Sequence, residues 1–160
     1  MNIKHFLIPN VLLAALLLSA CGNDHTNKAP VATNSTLTTQ ADTPLSGQLI
    51  GSDVDDSKLN YAVATQPTQG TVIVQPNGSF VYTPKVDTTG TDSFTFIVSD
   101  GKLSAPAATV NITINPLEVT FESYSRKAYA QDTSAQPLPL NTRNVEQDVT
   151  DPTAYDDLLQ

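Results

Sequence analysis

Asp53, Asp55 and Asp56 stand close together in the chain, and Asp100 sits on a separate Asp-Gly turn. These carboxylates are the side chains best suited to chemistry. Ca²⁺ takes 6–8 hard oxygen ligands at about 2.3–2.6 Å. Like charges held close repel, and a cation between them relieves that repulsion. The same residues serve as turn caps when their oxygens accept from nearby backbone amides. Asp87 and Asp92 flank Thr88–Thr91. Paired carboxylates hydrolyse glycosidic bonds when a cleft holds them about 5–9.5 Å apart. Nothing in the surrounding pattern makes a cleft, so these two read as solvated loop residues. Cys21 is the single cysteine, and His5 and His25 are the two histidines. An intramolecular disulfide is therefore excluded, and a Cys/His zinc site lacks ligands. A nucleophile–base–acid device would have to use His25. The chain carries no Gly-x-x-x-x-Gly-Lys phosphate loop. No catalytic residue or cofactor-binding loop is assigned.

The charge of -8 points the same way. A nucleic-acid binder needs a basic stripe to displace phosphate counterions. Docking on anionic lipid through surface charge is disfavoured for the same reason. A length of 160 residues suits one compact domain, two at most.

Residues 1–20 have the build of a secretory leader. Lys4 starts it, an apolar run follows from Val11 to Leu18, and small Ser19 and Ala20 precede Cys21. Pro9-Asn10 separates that run from Phe6–Ile8, so it falls short of the ~20 apolar residues of a membrane span. An ordinary leader that happens to end near a cysteine remains the alternative. Leu18-Ser19-Ala20-Cys21 resembles the lipobox of bacterial lipoproteins. The resemblance implies cleavage before Cys21, a diacylglyceryl group on its thiol and an acylated new N-terminus. Two acyl chains already anchor stably where one does not. Gly22, rather than Asp, follows the cysteine. In lipoproteins this favours the outer membrane, though Asp24 lies two positions on. Residues 21–29 then form a polar, lipidated tether that includes His25.

From residue 30 to 115 the hydrophobic period is two, which marks strands with one buried face. Leu45–Leu49, Leu59–Val63, Val72–Val74, Phe80–Tyr82, Phe94–Val98 and Val110–Ile114 alternate, with a weaker first strand over Ser35–Thr39. Turn signals at Pro67–Gly70, Pro76-Asn77-Gly78 and Asp100-Gly101 separate them. Seven short strands at this spacing predict an all-β, immunoglobulin-like Greek-key sandwich. Phe80, Tyr82, Phe94 and Phe96 are its predicted core. The loops carrying Asp53, Asp55, Asp56 and Asp100 should share one end with Asn77.

The segment from Ala29 to Ile114 resembles the bacterial immunoglobulin-like and cadherin-like repeats of secreted and surface proteins. The marks are Ala29-Pro30-Val31, Gly51-Ser52-Asp53-Val54-Asp55, Asn77–Pro84, Gly90–Phe96 and Val98-Ser99-Asp100-Gly101. The resemblance implies a calcium site using an Asp-x-Asp loop, here Asp53 and Asp55. It also implies an acidic linker, yet Lys28 stands where acid would help.

Residues 116–160 differ in composition and predict a largely irregular acidic tail. Phe121, Tyr124 and Ala128 fit a short helix over 122–131, while Val119 and Phe121 fit a continuing strand. Gln136–Leu140 reads as extended linker. Asp151-Pro152 reads as a cap before a short helix over 153–159. That terminus is either frayed or a docking peptide for another protein, and a downstream domain is a third possibility. The expected function is a lipid-anchored, non-catalytic envelope module contacting a protein or glycan. A calcium-responsive adhesion module is the alternative, and an accessory domain of a secreted hydrolase the remote one.

Overall fold

A computed structural model describes residues 26–151 and 153–158. The leader, Cys21, Gly22, Asp24 and His25 lie outside the described residues. The body is built from β1 (Val31–Thr33), β2 (Ser35–Gln40), β3 (Leu45–Gln48), β4 (Ile50–Ser52), β5 (Asn60–Thr65), β6 (Gly70–Val74), β7 (Ser79–Pro84), β8 (Gly90–Ser99) and β9 (Ala108–Asn115). These segments make the seven expected strands, because the first and second are each broken once.

The breaks have local causes. β1 pairs with β4, whereas β2 crosses to pair with β9. Asn34 marks the crossing, where its side chain accepts from the Thr109 amide at 2.8 Å. Leu49 separates β3 from β4 and is buried in the core. One sheet runs β2-β9-β8-β5 and the other β3-β7-β6. β2 lies parallel to β9, with Ser35 opposite Val110 and Gln40 opposite Asn115. The neighbouring pairs are antiparallel. This pairing of first and last strands fixes where the chain goes. It enters at one end of the sandwich and leaves at the other, roughly 25 Å away at strand rise.

The core follows the period-two pattern. Phe94, Phe96 and Val98 from β8 meet Val110, Ile112 and Ile114 from β9, with Phe80 and Tyr82 across from them. Phe80 and Phe94 pack edge to face, with ring centroids 5.4 Å apart. Tyr82 lies so close to Gly70 that a Cβ there would sit 2.5 Å from its ring. Only glycine allows that approach.

The tail is largely irregular, but it carries β10 (Leu117–Thr120), α1 (Phe121–Tyr129) and β11 (Arg143–Glu146). Val119 lies in the strand, but Phe121 does not continue it: it opens the helix, which runs one residue earlier at its start and two shorter at its end than expected. The strand ends at Thr120, whose hydroxyl caps the helix by accepting from the Ser123 amide. β10 and β11 are parallel, and their alternate residues Glu118 and Asn144 pair on the exposed face. The predicted last helix is shorter than expected. Asp151 caps a turn at Thr153, and a single 3-10 turn follows over Asp156–Leu158. Among the described residues, no helix is long and apolar enough to cross a membrane.

Candidate functional site

The sandwich end where the chain enters gathers the predicted carboxylates. Asp53, Asp55 and Asp56 lie between β4 and β5, and Asp100 lies between β8 and β9. The linker preceding β1 runs across both loops. Asn27 Nδ2 donates to Asp100 Oδ2 at 2.8 Å, and the Lys28 amide donates to Asp55 Oδ2 at 2.7 Å. Lys102 Nζ donates to Asn27 Oδ1 at 3.1 Å and stands 3.8 Å from Asp56 Oδ2. Asp53 Oδ1 accepts from the amides of Asp55 and Asp56. Asp100 Oδ1 accepts from those of Lys102 and Leu103. These amides, with Asn27, hold the Asp100 carboxyl below its ordinary pKa.

Turn capping is therefore part of what these residues do. Asp53 Oδ2 departs from it: this atom is buried and has no hydrogen-bond partner. Among the described residues, no three His, Cys, Asp or Glu side chains converge closely enough to hold a metal ion. Asn77 serves its own hairpin instead, accepting from Ser79 N and Oγ. Asn27 was not legible as a partner of Asp100, nor Lys102 as one of Asn27 and Asp56, because nothing local in the sequence ties these distant segments together.

Asp87 and Asp92, alike in sequence, have separate fates. Asp92 is not a solvated loop residue. It sits on β8 in phase with Phe94, Phe96 and Val98, and is buried. That alternation was the available signal. Its carboxylate accepts from Thr68 N and Oγ1, Gln69 N, Ser93 N and the Tyr82 hydroxyl, the last at 2.8 Å. Burial by itself would raise its pKa. The bonds from Thr68, Tyr82, Ser93 and Gln69 outweigh burial and hold the pKa below the ordinary carboxylate value. The same burial, with Asp92 beside it, raises that of Tyr82. A carboxylate this fully bonded is an anchor for the β5–β6 turn.

Asp87 lies at the exit end. Asp42 and Asp87 both adopt left-handed backbone, with φ of 58° and 54°. The Asp87 amide donates to Asp42 Oδ1 at 2.8 Å. Arg143, the first residue of β11, donates to Asp42 Oδ2 at 2.6 Å and to Asp87 Oδ1 at 3.2 Å. The Leu117 amide also donates to the Thr142 carbonyl. The unit formed by β10, α1 and β11 is thereby clasped to the end of the sandwich opposite Asp100.

Two facing sheets, with the first strand split between a two-stranded pairing with β4 and the β2-β9-β8-β5 sheet, define an immunoglobulin-like sandwich. The family model for the bacterial cadherin-like domain matches residues 27–116, and the chain belongs to that family. Membership marks the sandwich as an adhesion or binding module. Similar solved structures include human protocadherin-24 EC1-2, at 16% identity with a TM-score of 0.46, covering 59% of this chain and 52% of that one. The human desmocollin-1 ectodomain is 17% identical with a TM-score of 0.46, over 61% of this chain and 24% of its own. The endo-fucoidan hydrolase MfFcnA9 is 22% identical with a TM-score of 0.42, over 57% and 16%. The chain thus spans about half or less of these structures. No curated protein matches it in sequence.

Proposed function

We propose that this chain is a lipid-anchored, non-catalytic binding module of a bacterial envelope, with the outer membrane as its site. The observation that carries the reading is Leu18-Ser19-Ala20-Cys21 behind its apolar run, ahead of a cadherin-like sandwich; the parallel pairing of β2 with β9 sets which end lies away from the anchor. A chain tethered ahead of β1 must present its C-terminal unit at the far end, with the sandwich as spacer. Leu18–Cys21 supplies the tether chemistry. The partner is a protein or glycan of the envelope. The test is metabolic labelling with a clickable fatty acid, followed by membrane fractionation. The wild-type chain should label and sediment with membranes. Cys21→Ala should do neither, because acyl chains supply the anchor. An unlabelled, freely soluble wild-type product overturns the reading.

One observation favours a second, calcium-responsive reading. The orphaned Asp53 Oδ2 is a hard, buried oxygen with no proton donor. Asp53, Asp55, Asp56 and Asp100 share this end without converging, so the loops carrying Asp55, Asp56 and Asp100 would have to close on Asp53 to hold Ca²⁺. Binding to the folded state alone must raise the melting point, by about 2.7 kcal/mol of stability at a hundredfold excess over Kd. Millimolar Ca²⁺ should therefore raise the melting temperature of the wild-type chain, and Asp53→Asn should abolish the shift. No shift in the wild type removes calcium and leaves the anchored module standing.

A further inference from the structure

The two faces of α1 meet different neighbours. On one, Arg126 donates to Asp157 Oδ2 at 2.7 Å and to the Ala154 carbonyl at 2.6 Å, while Phe121 packs edge-on against Tyr155. The last turn of the chain covers that face. Ser123 and Lys127, one helical turn apart, share the other with Tyr124. There the helix lies beside the β10–β11 ribbon, in which Leu117 stands opposite Arg143 and Val119 opposite Val145. The segment after the helix is strapped across the same side, for Tyr124 Oη donates to the Leu138 carbonyl at 2.9 Å. Helix, ribbon and strap enclose a cavity of about 140 Å³. Leu117, Val119, Leu138 and Pro139 give it apolar walls, and Ser123, Lys127 and Arg143 add polar groups.

We propose that this cavity binds a small monocarboxylate with a ring-sized apolar body. Its volume is close to that of a cavity that holds one benzene molecule, about 150 Å³. Donor accounting sets the chemistry. The Tyr124 hydroxyl is spent on Leu138. Arg143 Nη1 donates to the Thr142 carbonyl and hydroxyl, and Nη2 to Asp42 and Asp87, whose carboxylates balance the guanidinium charge. Among the described residues, Lys127 enters no ion pair and the Ser123 hydroxyl no hydrogen bond. Two uncommitted donors, one of them charged, therefore line a half-apolar cavity. A carboxylate accepts from both, and its bond to an ammonium is roughly twice as strong as a neutral one. One surplus positive charge suits a monoanion better than a doubly charged phosphate. Ser123 and Lys127 are exposed, whereas Leu117, Val119, Leu138 and Pro139 are half-buried. The ligand's charge thus belongs at the mouth and its apolar body inside. Hydroxyls on that body would lie unbonded against the apolar walls, at a cost. The site depends on neither the lipid nor calcium.

The probe is sodium benzoate, titrated against the full chain to roughly 20 mM, a range that saturates a site with Kd near 1 mM. Saturation-transfer NMR reads the bound ligand, and the signal should saturate. Benzamide has the same shape without the charge, and should bind at least about tenfold more weakly. Lys127→Gln should weaken benzoate by about tenfold, while Lys127→Arg keeps the charge and should cost no more than about threefold. A melt of each variant, still governed by the sandwich, confirms folding. No saturable signal from the wild type, equal binding of benzamide, or indifference to Lys127→Gln overturns the proposal. Glucuronate or inorganic phosphate binding more tightly than benzoate overturns it too, because the first carries a hydroxylated body and the second a double charge.

Discussion

Asp92→Ala should destabilise the sandwich by about 3–5 kcal/mol, and lower its melting temperature by roughly 15–30 °C for a domain of this size. The carboxylate satisfies three backbone amides, one threonine hydroxyl and the Tyr82 phenol at a buried position near the surface. Alanine leaves the Tyr82 hydroxyl buried and unpaired and the other donors part-buried, at about 1–3 kcal/mol for each that water does not reach. Tyr82→Phe removes one bond and keeps the ring against Gly70, so its cost should be only about 1–2 kcal/mol. Differential scanning calorimetry of the two variants checks both the size and the order. An Asp92→Ala chain as stable as wild type would mean that the network holds nothing in place.

The same pair sets the pH limits of stability. The Asp92 pKa is lowered on folding, so its contribution is full above the unfolded value of about 3.9, and is lost as pH falls below it. The Tyr82 pKa is raised, so its contribution is full below the unfolded value of about 10, and is lost as pH rises above it. The melting temperature should therefore hold a plateau between these limits. In Tyr82→Phe the alkaline decline should weaken.

Arg143→Ala should cost about 2–3 kcal/mol, and its effect should be local. The guanidinium is mostly buried between Asp42 and Asp87, and its loss leaves two carboxylates facing each other. Removing one partner of a fully buried pair costs about 3–5 kcal/mol. Partial exposure of both aspartates lowers that here. Both also hold left-handed backbone, which costs a non-glycine residue about 1–3 kcal/mol and persists only where surroundings enforce it. Hydrogen exchange should show protection falling in β10 and β11, while β8 and β9 keep theirs. Unchanged exchange in β10 would show that the C-terminal unit is held by other contacts.

The body was readable because a strand reports its buried face locally. Alternation along Phe94–Val98 and Val110–Ile114 gives both the strands and their inward sides, and Asn77-Gly78 gives a hairpin. Asp92 shows the same rule ignored, for its parity with Phe94 already placed it inside. The split of the first strand was not readable. Val31–Thr33 and Ser35–Gln40 look alike in pattern, and only the partners β4 and β9 distinguish them. The entry end was half readable, since loop order places Asp53 and Asp100 together while the Asn27 and Lys102 links span long stretches of sequence.

Local periodicity and turn chemistry determined, from the sequence by itself, an all-strand body with its aromatic core and its acidic loops. Tertiary structure alone decided which carboxylate became an anchor, which became half of a clasp on Arg143, and that the last turn rests on α1. Each of those outcomes depends on a donor contributed by a distant segment. Alternation along one strand states which way a side chain faces, but carries no information about what arrives to meet it.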